Sequence, residues 1–508
     1  MTTTAEAEAP VLVGEKDDGV IRIQRRVLTG KDRFAITSQP FITDTTNDVG
    51  RRYGTRKPHL EGLRGILGFF TLLAIFFRTF APAIQTDTDL NGLFPADFVL
   101  VAPQWQNTLR KVLGPIFWDS TLLPHFFIIL SGRVTLQTFL ERRLALPMAA
   151  TAFHRPFRLL PNLVVCLTIT SILSATHSFD AAFRMATDLR SSLAAPPQIW
   201  SSSIEYFNTM AALFFAEPAF TYQDRPFSFV QPVGVLFVVP IIFQQTFTCI
   251  TAAYILPYTK LKPKVIGYTA FVLLCYWVGS WAWYSLTGLA IAEFVSVYSQ
   301  ATPSRFPLRL GRYLGTHKVP VWVPFSVLLI AGLAQKWAWA SFPERRSDEY
   351  MAHTDILTGG LVRSENIAVT PFPRIDDWMV ITAILVLIEI FETPRRFLSQ
   401  SIFRHLGRLA FSIMLSSGFL FLSVGAVLRN HLVDSGWTQN AGLLAVLFFS
   451  MAPLALALAE LLHWLVDVPS VLVARWLFVY FRQEDLFVFP TDLSAGGQVG
   501  TDSKTSSK

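Results

Sequence analysis

Arg155 and Arg158 stand three residues apart in Phe153-His154-Arg155-Pro156-Phe157-Arg158-Leu159-Leu160-Pro161. At that spacing they share a helix face, and Pro156 suits a helix's first turn. Guanidinium forks on one face match the oxygens of a phosphate-bearing ligand. Anionic lipid headgroups are an equally physical partner. Upstream, Phe126-Phe127-Ile128-Ile129-Leu130-Ser131-Gly132-Arg133 presents Ser131, Gly132 and Arg133 together at the polar end of an apolar run. Arg64 opens another apolar run beside Glu61, and a snorkelling anchor paired with Glu61 is one reading of it. His463 and Asp467, four apart, can orient an imidazole or form a structural pair. Cys166, Cys249 and Cys275 lie in apolar stretches without CxxC or Cys/His spacing, so neither a disulfide framework nor a metal site is expected.

The elements that must position these groups follow from composition. The chain has 508 residues, of which 52% are hydrophobic and only 16% charged, with mean hydropathy +0.41. Soluble domains carry about 25% charged residues, so soluble globular, collagen-like and disordered classes are excluded and an integral membrane protein is predicted. A spanning helix needs about 20 mostly apolar residues. Candidates lie near 60–84, 118–140, 159–177, 232–256, 265–280, 282–299, 319–341, 376–393, 408–429 and 441–466. The predicted fold is therefore an all-α multi-pass bundle of about ten transmembrane helices. The apolar patch Tyr206–Phe220 is short and contains Pro218, and reads as re-entrant or interfacial.

Most of the 43 lysines and arginines fall on one side of that bundle. The positive-inside rule then puts both termini in the cytosol and accounts for most of the +7 net charge, so nucleic acid is not an expected partner. Residues 1–57 form a polar cytosolic tail with no cleavable signal, 58–470 the transmembrane domain, and 471–508 a second cytosolic tail, partly disordered. Membrane lipid is an expected partner, in the secretory pathway or at the plasma membrane. Charges inside apolar runs are functional candidates by default. Of these, Arg78 reads as a snorkelling residue, and Glu293, Glu389 and Glu460 as interfacial.

Six segments between residues 60 and 470 resemble, in order, motifs of the acyltransferase-3 family of multi-pass membrane acyltransferases, especially its fungal members. Leu60-Glu61-Gly62-Leu63-Arg64-Gly65 is similar to the family's Leu-Asp-Gly-Leu-Arg-Gly. Phe126 to Gly132 matches Phe-Phe-x-x-Leu-Ser-Gly, and Arg155, Arg158 and Pro161 match Arg-x-x-Arg-x-x-Pro. Leu286 to Glu293, Leu406 to Ser412 and Val466-Asp467-Val468-Pro469-Ser470 resemble the later helices. The resemblance implies transfer of an acyl group, commonly acetyl, from an acyl-CoA co-substrate to a hydroxyl of a carbohydrate, lipid or small metabolite. No resident cofactor is implied. Ser131, Gly132, Arg133, Arg155 and Arg158 would bind the donor.

The chain departs from the pattern at three places. Ile75 stands where the family has a His, Ile242 where it has an acidic residue, and Met414-Leu415-Ser416-Ser417 replaces Tyr-Leu-x-His. Acyl transfer from a thioester needs a base near the acceptor hydroxyl and a cation or N–H group for the oxyanion. Arg64 fits the second role. His125, seven residues before Gly132, is the candidate replacement base, and His154 reads as a polar anchor. No nucleophile elbow, HExxH or P-loop is present. A degenerate relative that binds acyl-CoA or lipid, or acts as a partner subunit, and a translocator on the same helices are the alternatives.

Overall fold

The computed structural model describes residues 8–13, 22–27, 57–89, 94–142, 145–196, 200, 202–215, 236–256, 259–295, 305–309, 316–351, 353 and 372–481. The described chain is mostly helical. The expected helical bundle is accompanied by two antiparallel strand pairs that the all-α reading did not include, β1 (Glu8–Val13) with β2 (Arg22–Val27) and β3 (Arg305–Arg309) with β4 (Thr316–Pro320). Each is a separate two-stranded pair.

The helices that build the site are α1 (Pro58–Phe80), α2 (Gln104–Val112), α3 (Leu122–Thr135), α4 (Ala145–Ala175), α5 (Val238–Ile255), α6 (Leu261–Trp277), α7 (Ala282–Glu293), α8 (Trp322–Ser341), α9 (Asp348–Met351), α10 (Ile375–Ile390), α11 (Ser401–Leu420) and α12 (Ala441–Leu462). α11 continues through a π turn at Phe421–Gly425 to Asp434, and α12 through a π turn at His463–Asp467 to Phe481.

By length and composition six helices can cross a membrane, or seven if α2 and the bent stretch Gly114–Leu140 form one broken span. The expectation of about ten rests on apolar runs, and a described helix stands in each of those ten places. α6, α7 and α10, of 17, 12 and 16 residues, are too short to count as crossings by length, and α2 with Gly114–Leu140 is bent by 55°. The expected helix 159–177 begins instead at Ala145, with Pro156 and Pro161 in its interior. Neighbouring helices can re-satisfy the carbonyls that such prolines free. The Tyr206–Phe220 patch is helical to Phe215; Pro218 and the segment 482–508 lie outside the described residues.

Two close crossings order the core. α1 packs on α11, where a Cβ on Gly65 would lie 2.0 Å from the Phe403 carbonyl oxygen and one on Gly407 2.0 Å from that of Glu61. α3 packs on α7, where Gly132 faces the Ser285 carbonyl oxygen and Gly288 that of Ile129, each 2.3 Å from an added Cβ. Small residues let helix backbones approach where lipid supplies no hydrophobic drive. Large apolar side chains such as Ile172, Leu273, Ile330 and Phe449 face outward, a surface compatible with lipid.

A candidate donor and proton-transfer site

The six segments with motif resemblance meet in pairs. Leu60–Gly65 lies against Leu406–Ser412 and Phe126–Gly132 against Leu286–Glu293, through the glycine crossings above. Arg155–Pro161 meets the Asp467 segment, where Asn162 Nδ2 donates to Asp467 Oδ1 at 3.4 Å.

At one end of the bundle a cationic cluster forms around the last turns of α3. Arg155 donates to Ser131 Oγ at 3.2 Å and to Thr135 Oγ1. Arg64, Arg155 and Arg158 lie close enough to repel one another, with Asp467 and Glu61 as the opposing charges near Arg64. Asp467 in turn holds His463 Nδ1 at 2.9 Å. Like charges gathered at the border of an apolar bundle are costly unless an anion joins them. The structure thus brings together Arg64, Ser131, Arg155, Arg158, His463 and Asp467. The Glu61 carboxylate also lies 3.9 Å from Arg404.

Gly132 and Arg133 are engaged differently. Gly132 sits at the α3–α7 crossing, and Arg133, fully buried, donates to Glu389 Oε1 at 2.6 Å. The other Glu389 oxygen lies 3.4 Å from His59 Nε2. Glu293 pairs with Lys264 at 2.7 Å, and His405 lies 3.2 Å from Glu460. Glu293 and Glu389, expected to be interfacial, are thus ion-paired. Arg78 is half-buried, with its Nε buried and without a hydrogen-bond partner among the described residues.

At the other end of α3, His125 is fully buried and its Nδ1 lies 2.7 Å from Asp377 Oδ2. Its Nε2 has no hydrogen-bond partner among the described residues. Asp377, in the first turn of α10, also meets the Lys336 ammonium from α8. Lys336 Nζ further contacts Asp119 Oδ2 at 2.7 Å and Asp376 Oδ2 at 3.6 Å. Arg374 clasps both oxygens of Asp376 at 3.0 Å. The Tyr284 hydroxyl, 3.4 Å from His125 Nδ1, donates to the Arg374 carbonyl oxygen at 2.5 Å and accepts from the Arg374 N–H at 2.9 Å. Glu349 of α9 accepts from the Ile375 N–H at 2.5 Å, and burial pushes its carboxyl up to about 7. A small cleft of about 50 Å³, partly open to the surface, reaches Asp119, Lys336, Arg374 and Asp376.

Asp377, Lys336, Asp119, Tyr284 and Arg374 were not legible as site residues from spacing. One signal was available, a lysine inside the apolar run 319–341. Asp377 is 252 residues from His125, so only the fold pairs them. An imidazole held at Nδ1 by a buried carboxylate with Nε2 bare is arranged as a general base or acid. Among the described residues no cluster of His, Cys, Asp and Glu can hold a metal. No family of known proteins matches this chain, and it matches neither a curated protein nor a solved structure.

Proposed function

We propose that this chain is an integral-membrane acyltransferase of about ten crossings that moves an acyl group, commonly acetyl, from a CoA thioester to a hydroxyl. The observation that carries the reading is the His125–Asp377 pair, with Nε2 of the imidazole free, in one bundle with the Arg64–Arg155–Arg158 cluster. In this reading the arginines take the phosphates of the donor from the cytosolic end, and His125 Nε2 accepts the proton of the acceptor hydroxyl. From His125 to Ser131 is six residues, roughly 9 Å along α3 at 1.5 Å per residue, a gap the extended arm of the thioester must bridge. Arg64, expected to meet the oxyanion, stands instead with Arg155 and Arg158 on the donor's phosphates, while the tetrahedral intermediate forms beside His125. That intermediate collapses to the ester, and the departing thiolate takes up a proton to leave as free thiol.

A second reading has one observation in its favour. Ile75, where the resembled family has its histidine, is buried in an apolar core, which suits a chain that binds acyl-CoA without transferring the group. The test incubates the purified protein in detergent with radiolabelled acetyl-CoA and an extract of metabolites and lipids, following retained and transferred label. Transfer that falls by about 10²–10⁴ in His125→Ala, and is lost in Arg64→Ala, supports the transferase. Tight retention without transfer to any fraction favours the binder.

A further inference from the structure

Three carboxylates surround the Lys336 ammonium, and they do not depend on it equally. Asp119 also accepts from the Thr121 N–H at 2.8 Å and hydroxyl at 2.9 Å, and Arg346 lies 3.7 Å away. Asp376 has both oxygens in the Arg374 fork. Asp377, fully buried, has Lys336 on one oxygen and His125 on the other. Arg374 is within electrostatic range of Asp377 but committed to Asp376, and Glu349 is turned to the Ile375 N–H. The Tyr284 hydroxyl is held between the carbonyl and N–H of Arg374, so its proton is spoken for.

We infer that Lys336 is a positioning residue for His125: its ammonium fixes Asp377 as a carboxylate, and that carboxylate holds the imidazole proton on Nδ1 and keeps Nε2 bare. The inference rests on the reading of His125 as the base and adds what sets its tautomer. Among the described residues Lys336 is the lysine or arginine that touches Asp377, with Arg374 near but bonded to Asp376, so a buried Asp377 carboxylate that loses Lys336 takes its countercharge from the imidazole. Without Lys336 the imidazole carries protons on both nitrogens and is spent as a base. The ordering across a histidine's two nitrogens is set by whatever the non-reacting nitrogen meets, and here that partner is itself set by a lysine one helix away.

The test reads the ring directly, with ¹⁵N-histidine-labelled protein in lipid nanodiscs near neutral pH and the His125 signals assigned by their loss in His125→Gln. The parent is expected to show a protonated Nδ1 and a bare Nε2. Lys336→Met should show both nitrogens protonated, and Lys336→Arg should restore the parent pattern. An unchanged tautomer in folded Lys336→Met overturns the inference. If that variant does not fold, Asp377→Asn reads the same link, with the proton expected to move from Nδ1 to Nε2; a proton that stays on Nδ1 there overturns it too. Because the signal is the imidazole itself, it stands apart from turnover: the expected tautomer shift alongside absent acyl transfer would count against the transferase reading alone.

Discussion

Arg155 and Arg158 show how far a single residue's chemistry can be read without a fold. Their spacing announced a shared face, and the structure adds Arg64 from another helix to the same charge cluster. Hydrogen bonds to charged groups contribute about 1.5–3 kcal/mol each, so losing both in Arg155→Ala with Arg158→Ala should raise the dissociation constant for acetyl-CoA by about 10²–10⁴-fold, read by equilibrium dialysis, with the amount of folded protein unchanged. Unchanged affinity would leave the pair as an anchor for lipid headgroups. Glu349 yields a pH dependence. Burial raises its folded-state value to about 7 from an ordinary 4.5, so its contribution to stability is complete below about 4.5 and is lost as the pH rises through 7. The melting temperature in nanodiscs should therefore fall between pH 5 and 8 in the parent, and fall less in Glu349→Gln, which keeps an acceptor for the Ile375 N–H.

Helix crossings decide which of these residues can meet. The glycines of Leu60–Gly65 and Phe126–Gly132 read from sequence as parts of chemical motifs, whereas in the fold Gly65 and Gly132 are contact points between backbones. A valine at Gly132 would drive its Cβ into the Ser285 carbonyl, and overpacking of this kind costs about 1–3 kcal/mol or more. Gly132→Val should reduce the yield of monodisperse protein and lower its melting temperature, while Gly267→Val, where an added Cβ has nothing within 4 Å, should leave both unchanged. Equal behaviour of the two variants would remove the crossing as the reason for Gly132. The positions of the helices were legible because long apolar runs have few alternatives in composition. Their ends were not, since α6 gives way to a turn at Val278 and α10 to extended backbone at Phe391 inside the apolar pattern.

Taken as a whole molecule, the bundle carries its two polar clusters at opposite ends of α3, cationic around Arg155 and mixed in charge around Lys336. If both termini lie in the cytosol, as the positive-inside bias predicts, the first cluster faces the cytosol and the cleft the other side. A cysteine placed at Lys262, in the first turn of α6, should then react with a membrane-impermeant thiol reagent from the cytosolic side only, and one placed at Ser347, after α8, from the opposite side only. The native cysteines are buried and give a low background. Labelling of both positions from one side would break the ten-crossing topology.

The sequence by itself determined that this chain is an apolar, helical bundle with its positive charge gathered in short connecting segments, because burial in lipid demands long apolar runs and orientation demands a charge bias. It also marked His125, Arg155 and Arg158. What only the tertiary structure decided is the company these residues keep. Asp377 and Lys336 reach His125 from helices more than 200 residues away, and Glu389 reaches Arg133 across a similar separation. An ion pair between helices leaves no periodicity along the chain, so spacing cannot reveal it; it is fixed by which helix faces pack together, and that depends on glycines whose role is visible only once the backbones have met.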